Sequence, residues 1–154
     1  TSTASSGILQ GTLDSARKRV PGLDNAKTPS DLTLDQRAAV MKDYFDQSLR
    51  TVGGAKALDN LPSPEAAAAF GDAIYRHGSG DGAKAIQEAI RNVDPGRVEA
   101  DGKMGPETFK AFEELARNPK TRGWLLDALG KERNQITQGS EYDRMEYFKF
   151  RSRH

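Results

Sequence analysis

The sequence contains no cysteine, no long apolar run and no excess of charge of one sign. Without cysteine in 154 residues, disulfide bonds and thiolate chemistry are excluded, although a cellular compartment is not thereby identified. No run of about 18 apolar residues occurs and no signal peptide is visible, so we predict no membrane span. With 23 basic and 22 acidic residues, the formal net charge of +1 argues against nucleic-acid binding through a strong positive field.

The spacing of apolar residues predicts helices along the whole chain. The predicted helices lie within Gly7–Val20, Thr33–Leu49, Glu65–His77, Ala83–Val93 and Pro106–Arg117, around Trp124–Leu129, and from about Tyr142. At most one short hairpin, between Arg97 and Met104, is compatible with the sequence. We therefore predict an all-α fold, with a flexible stretch over residues 1–6 and a single compact multi-helix domain over residues 7–154.

Several residues predict where these helices begin, end and pack. Thr33 and Gln36 have the spacing of a capping box, and Thr12 is expected to cap the first helix. The glycine-rich segment Gly78–Gly82 is expected to be a turn between two helices. Trp124 heads an apolar run and is expected in the core, although an exposed ring could stack on a sugar.

The most informative segment is Asp101–Phe109, which reads Asp-Gly-Lys-Met-Gly-Pro-Glu-Thr-Phe. Its two glycines permit positive φ, and Pro106 suits the first position of a helix. Glu107 and Thr108 would lie near the exposed amides of that first turn, where negative charge is favoured. The segment predicts a tight turn leading into a helix, and such a turn either contacts a ligand or only joins two helices.

The Asp-Gly-x-x-Gly-Pro-x-Thr string resembles the signature turn of bacterial peptidoglycan-binding domains. In a wider comparison, the order of four segments resembles the glycoside hydrolase family 108 lysozymes. These segments are Gly7–Gln10, the helix Thr33–Leu49, the segment Phe70–Gly78 and the signature turn. The resemblance implies a lysozyme-like fold, peptidoglycan as the partner, and cleavage of the bond between N-acetylmuramic acid and N-acetylglucosamine.

Two differences from that family affect the expected activity. The family's catalytic glutamate lies in a Glu-Gly-Gly-like run upstream of the Gly-Ile motif, and no such run precedes Gly7. The sequence begins with Thr1 and not with methionine, which is expected of a processed product or of a piece of a longer polypeptide. As a murein hydrolase, the domain would need an upstream segment or domain to supply that acid. In the second difference, Arg76 stands where the family usually has asparagine, with His77 beside it.

Glycosidic cleavage requires a carboxylic acid that is held protonated in a partly apolar cleft. Asp72 keeps the family pattern on the central helix and is our candidate catalytic residue. Its alternative role is an ion pair with Arg76, one helical turn further on. His77 has no partner at metal-ligand spacing, so we predict no metal site, and we expect no cofactor.

The candidate substrate-binding residues are Gln10, Arg76, His77, Asp101 and Thr108. Two functions are consistent with these residues. The first is the lysozyme-like domain of a murein hydrolase, acting in the periplasm or cell wall after export or delivery. The second is a non-catalytic peptidoglycan-binding or interaction module of a phage, a secretion system or an effector, for which an immunity or inhibitor protein is a further expected partner.

Overall fold

The computed structural model describes residues 8–133, and this part of the chain is all-helical, as predicted. The α-helices are α1 (Gln10–Ala16), α2 (Leu34–Ser48), α3 (Pro64–Val93), α4 (Pro106–Arg117) and α5 (Pro119–Arg133). Short 3-10 helices occupy Pro29–Asp31, Arg50–Val52 and Gly54–Asn60. The flexible stretch predicted for residues 1–6 and the helix predicted from about Tyr142 lie outside the described residues.

The described residues form two compact units, unit 1 (residues 8–45) and unit 2 (residues 46–133). The single domain over residues 7–154 stays a prediction, since its carboxyl end lies outside the described range. Among the helices of residues 8–133, none combines the length and the apolar character needed to cross a membrane.

Two arginines at the end of α1 link this helix to other parts of unit 1. The Arg17 guanidinium donates to the carbonyl oxygens of Leu23, Ala26 and Lys27, which fixes the loop that follows α1. Arg19 pairs with the nearly buried Asp43 of α2, with 2.7 Å between Nε and Oδ1. These bonds attach both the loop and α2 to one short helix.

The helix starts in unit 1 confirm one sequence prediction and correct another. Thr33 and Gln36 form the capping box, since each backbone N–H donates to the other residue's side chain. Thr12 does not cap α1, because the Leu13 N–H already bonds the Leu9 carbonyl and the helix begins at Gln10. Leu34, the first residue of α2, is 57% exposed.

Unit 2 has its core between α3, α4 and α5. The Phe70 ring of α3 meets Phe109 and Phe112 of α4 edge to face, with centroid distances of 5.5 and 5.0 Å. The largest fully buried side chains of this unit are Leu49, Leu58, Phe70, Ile74, Ile86, Ile90, Phe112, Leu125 and Leu129. This core fixes α4 against α3, and so fixes the segment that connects them.

The turn predicted over Gly78–Gly82 is reduced to a single residue. Gly78, with φ of 79° and ψ of 168°, interrupts α3, and the helix resumes directly after it. Gly82 lies inside the second half of α3, where a Cβ atom would stand 2.6 Å from the carbonyl oxygen of Ala73. That glycine therefore permits the two halves of α3 to approach closely, whereas the sequence pattern indicated a turn.

The packing of α5 corrects the prediction for Trp124. The helix begins at Pro119, and its buried positions are occupied by Leu125 and Leu129, four residues apart on one face. Trp124 is 53% exposed, and the Nζ atom of Lys120 lies 5.3 Å from the centroid of its ring. The tryptophan is thus a surface residue of α5 and not part of the core.

Candidate functional site

A cleft of about 700 Å³ lies beside the start of α4 in unit 2. The segment between α3 and α4 and the first turn of α4 form its walls, and Gln87 of α3 also contributes to its lining. The polar side chains that line it are Gln87, Arg97, Glu99, Asp101, Lys103, Glu107 and Thr108. Two predicted substrate-binding residues, Asp101 and Thr108, therefore lie in one cleft.

The turn at this cleft leads into a helix as its sequence predicts, but only one of its two glycines has a positive φ. Gly102 has φ of 76°, and a Cβ atom there would lie 3.3 Å from the Gly80 carbonyl oxygen, so two constraints favour glycine. Gly105 is extended and only precedes the helix, which Pro106 begins as predicted. The Thr51 hydroxyl donates to the Met104 carbonyl at 2.7 Å, which ties the turn to a neighbouring 3-10 helix.

The hairpin that the sequence allowed between Arg97 and Met104 is not formed in the described structure. The Gln87 side chain makes the hydrogen bonds that a second strand would otherwise supply to this segment. Its oxygen accepts from the Gly102 N–H at 2.9 Å, and its nitrogen donates to the Lys103 carbonyl at 3.0 Å. A buried side chain thus takes the place of a strand partner.

Gln87 is the centre of the hydrogen-bond network at the cleft, although it is only 1% exposed. Its Nε2 atom lies 3.0 Å from each of three acceptors: Oδ1 of Asp101, the Lys103 carbonyl and Oγ1 of Thr108. An amide nitrogen carries two hydrogens, so the three acceptors share them. Together with the bond from Gly102, this network joins α3, the turn and α4.

Asp101 is exposed and presents an ionised carboxylate at neutral pH. The Lys103 backbone N–H donates to its Oδ1 at 2.9 Å, and Gln87 donates to the same oxygen. The Lys103 N–H first, and the Gln87 amide second, hold the pKa of Asp101 below its usual value. The carboxylate is therefore both charged and fixed in orientation.

Among the other charged side chains at the cleft, Arg97 is held in ion pairs. Arg97 pairs with Glu114 of α4 and, at 3.6 Å, with Asp94. Its hydrogen bond to Glu114 is the main reason that the pKa of Arg97 is raised and that of Glu114 is lowered. Arg97 is thus held at the rim by two carboxylates, and Lys103 is a second exposed cation in the lining of the cleft.

Asp72 and Arg76 form the ion pair that was the alternative to a catalytic role. The Arg76 Nε atom lies 3.5 Å from Asp72 Oδ1, and both side chains are nearly fully buried. Neither residue lines the cleft, and neither does His77, whose buried Nε2 atom has no hydrogen-bond partner within the described structure. The ion pair is confirmed, while the catalytic role of Asp72 and the binding roles of Arg76 and His77 stay predictions.

Gln10, the remaining predicted binding residue, belongs to unit 1. Its side-chain amide donates to Asp14 Oδ1 and to the Lys27 carbonyl, at 3.0 Å in both cases. These bonds connect α1 to the loop before α2, and its role in binding stays a prediction.

Sequence reasoning missed Gln87. The only available signal was an uncharged polar residue directly after Ile86 in a helix whose neighbouring positions, Ala85, Ala89 and Ile90, are apolar and buried. A buried amide on such a face must find hydrogen-bond partners. That requirement identifies Gln87 as part of a network, but not which residues complete it.

Within residues 8–133, no three His, Cys, Asp or Glu side chains are grouped so as to hold a metal ion. In the comparisons with known proteins, no family model, no curated protein and no solved structure matches this chain. Function must therefore be argued from the cleft and from the resemblance of its turn.

Proposed function

We propose that this chain is a peptidoglycan-binding module and that the cleft beside α4 contacts the wall polymer. The observation that carries the proposal is the fixed turn at Asp101–Thr108, whose sequence resembles the signature turn of peptidoglycan-binding domains. In this turn Gln87 and Lys103 hold the carboxylate of Asp101 at the cleft. The periplasm or the cell wall is the corresponding location.

The chemistry of the cleft suits such a polymer. Glycan strands carry hydroxyl and acetamido N–H groups, and stem peptides carry amide N–H groups, so both offer hydrogen-bond donors to Asp101, Glu99 and Glu107. Lys103 can donate to carbonyl or carboxylate oxygens of the same ligand. Because the turn is already ordered, binding loses less conformational entropy than it would with a flexible loop.

Hydrolysis is supported less well than binding by the residues described. An acid that protonates a glycosidic oxygen must reach that oxygen, whereas Asp72 is 4% exposed and paired with Arg76. We therefore propose binding as the function of this chain. Muramidase activity remains a prediction that the experiment below also tests.

The experiment is co-sedimentation of the purified chain with insoluble peptidoglycan, followed by mass spectrometry of the supernatant. We expect binding without release of disaccharide-peptides. Asp101→Asn should weaken binding by about tenfold or more, the size of one charge-assisted hydrogen bond of at least about 1.5 kcal/mol. Asp35→Asn, an exposed substitution in α2 outside the cleft, is the matched control and should bind as the unmodified chain does.

Three results would contradict the proposal in different ways. Failure of the unmodified chain to co-sediment would exclude peptidoglycan binding. Equal binding by the unmodified chain and Asp101→Asn would place the contact outside the cleft. Released disaccharide-peptides would establish a glycosidase, and Asp72→Asn would then test whether Asp72 is its acid.

A further inference from the structure

We propose that Gln87 is the positioning residue of the cleft: its amide fixes Oδ1 of Asp101, so that Oδ2 accepts a hydrogen bond from an N–H or O–H group of the ligand. This inference rests on the proposed function and assigns a role to a residue that the sequence did not indicate. Three observations carry it: the burial of Gln87, the atoms that it bonds, and the conformation of the turn that it holds.

Gln87 acts through other residues and not by contact with the ligand. Its side chain is 1% exposed, its nitrogen is surrounded by three acceptors at 3.0 Å, and its oxygen is bonded to the Gly102 N–H. A ligand could reach it only by displacing these bonds, and an unpaired buried amide is costly. The amide therefore supports the turn from the protein side.

The bonds to Asp101 determine which oxygen is available. Gln87 Nε2 and the Lys103 N–H both donate to Oδ1, at 3.0 and 2.9 Å, while the residue as a whole is exposed at the cleft. Two donors on one oxygen fix the plane of the carboxylate. A ligand donor then meets Oδ2 in one orientation, without the ordering cost of a freely rotating side chain.

The conformation of the turn depends on the same amide. Gly102 adopts a left-handed conformation and lies against the Gly80 backbone, and its N–H and the Lys103 carbonyl are both bonded to Gln87. Without Gln87 these backbone groups would need water as their partner, and the turn would gain alternative conformations. Loss of Gln87 should therefore weaken ligand binding even where the helices remain folded.

The test compares Gln87→Glu with Glu88→Gln, since Glu88 is the exposed neighbour on the same helix and serves as the matched control. The introduced carboxylate keeps an acceptor for Gly102 but cannot donate to Asp101 when it is ionised. We expect peptidoglycan binding by Gln87→Glu to fall about tenfold or more at pH 9, where the introduced carboxyl is ionised despite its burial. Binding should recover in part at pH 5, because the buried carboxyl next to Asp101 protonates readily and regains a donor.

The pH dependence distinguishes positioning from a general loss of structure. The unmodified chain and Glu88→Gln should bind equally at pH 9 and pH 5, since the pKa of Asp101 lies below its ordinary value. Binding by Gln87→Glu that is unchanged at pH 9, or weakened equally at both pH values, would overturn the inference. If the unmodified chain does not bind at all, the proposed function fails instead.

A second measurement needs no variant, so it applies even if Gln87→Glu does not fold. In a nuclear magnetic resonance titration of the unmodified chain, the side-chain N–H₂ signals of Gln87 should shift with the same midpoint as the Asp101 carboxyl carbon. Independent midpoints would contradict the coupling between the two side chains.

Two probes distinguish whether the donor group of the ligand belongs to the glycan strand or to the stem peptide. Peptide-free glycan strands offer hydroxyl and acetamido N–H groups, whereas isolated stem peptides offer peptide N–H and amino groups. The probe that binds the unmodified chain, and binds Gln87→Glu about tenfold less well at pH 9, identifies the source. A probe that binds the unmodified chain and Gln87→Glu equally does not use Oδ2 of Asp101, the oxygen that Gln87 positions. If the glycan strands and the stem peptides each bind the two proteins equally, the inference is wrong.

Discussion

Replacing Gly82 with alanine should destabilise unit 2, because the two halves of α3 meet at this residue without room for a methyl group. A Cβ atom there would lie 2.6 Å from the Ala73 carbonyl oxygen, 2.8 Å from the Ile74 Cα and 3.0 Å from the Ala73 carbonyl carbon. All three are backbone atoms, so no side-chain rotation can relieve the contact. One half of the helix would have to move.

The magnitude follows from two opposing effects. Alanine is favoured over glycine inside a helix by about 1 kcal/mol. Overpacking commonly costs about 1–3 kcal/mol, and contacts with backbone atoms belong at the upper end of that range. We therefore expect the free energy of unfolding to fall by about 2 kcal/mol, which corresponds to a decrease in Tm of roughly 6 °C for a chain of this size.

The assay is thermal unfolding followed by circular dichroism at a helix-sensitive wavelength, with Gly123→Ala as the matched control. Gly123 also lies in a helix, but a Cβ atom there would meet nothing within 4 Å. That variant should keep the propensity gain and be more stable by up to about 1 kcal/mol. If Gly82→Ala were stabilised as much as Gly123→Ala, the close approach of the two halves of α3 would be refuted.

Three further predictions concern a cap, the core and the cleft turn. Thr33→Ala removes the capping box of α2 and should lower the free energy of unfolding by about 1 kcal/mol in a denaturant titration; an unchanged value would show that the cap is dispensable. Phe112→Ala removes a fully buried ring and should cost about 3–5 kcal/mol, whereas a cost below about 1 kcal/mol would contradict its place in the core. Because native hydrogen bonds lower the pKa of Asp101, its contribution to stability is present above its unfolded pKa of about 3.9 and is lost as the pH falls through the lowered value. Asp101→Asn should therefore be less stable than the unmodified chain at pH 6, with a difference that shrinks below pH 4 or so; a difference independent of pH would contradict this assignment.

Helices with strong local signals were predictable from the sequence. Pro106 fixes the first residue of α4, Pro119 follows its end, and the observed bounds Pro106–Arg117 equal the predicted ones. The capping box of Thr33 and Gln36 also depends only on residues three positions apart. Signals of this kind lie within one helical turn, so they need no knowledge of the tertiary fold.

The wrong predictions concern sequence patterns that fit two different local structures. Glycine permits both a turn and a close helix contact, and only the position of Ala73 relative to Gly82 distinguishes the two. Likewise, Trp124 and Leu125 are adjacent apolar residues of α5, and only the packing of the helix decides which of them is buried. Leu125 faces the core, whereas Trp124 faces outward.

Two residues that line the cleft were predictable from the sequence, but the residue that hydrogen-bonds both of them was not. Asp101 and Thr108 were found because they belong to one recognisable motif. Gln87 is 14 residues from Asp101 and 21 from Thr108, and its hydrogen bonds join α3 to the turn and to α4. A local pattern cannot specify such partners, although the polarity of a residue on a buried helix face indicates that partners exist.

The most direct test of the central claim, that the cleft binds peptidoglycan, is a nuclear magnetic resonance titration of the isotope-labelled chain with soluble peptidoglycan fragments. We predict that backbone signals of residues 99–108 and the side-chain amide of Gln87 shift together as fragment is added. Shifts confined to residues 8–45, or no shifts at saturating fragment concentration, would contradict the account.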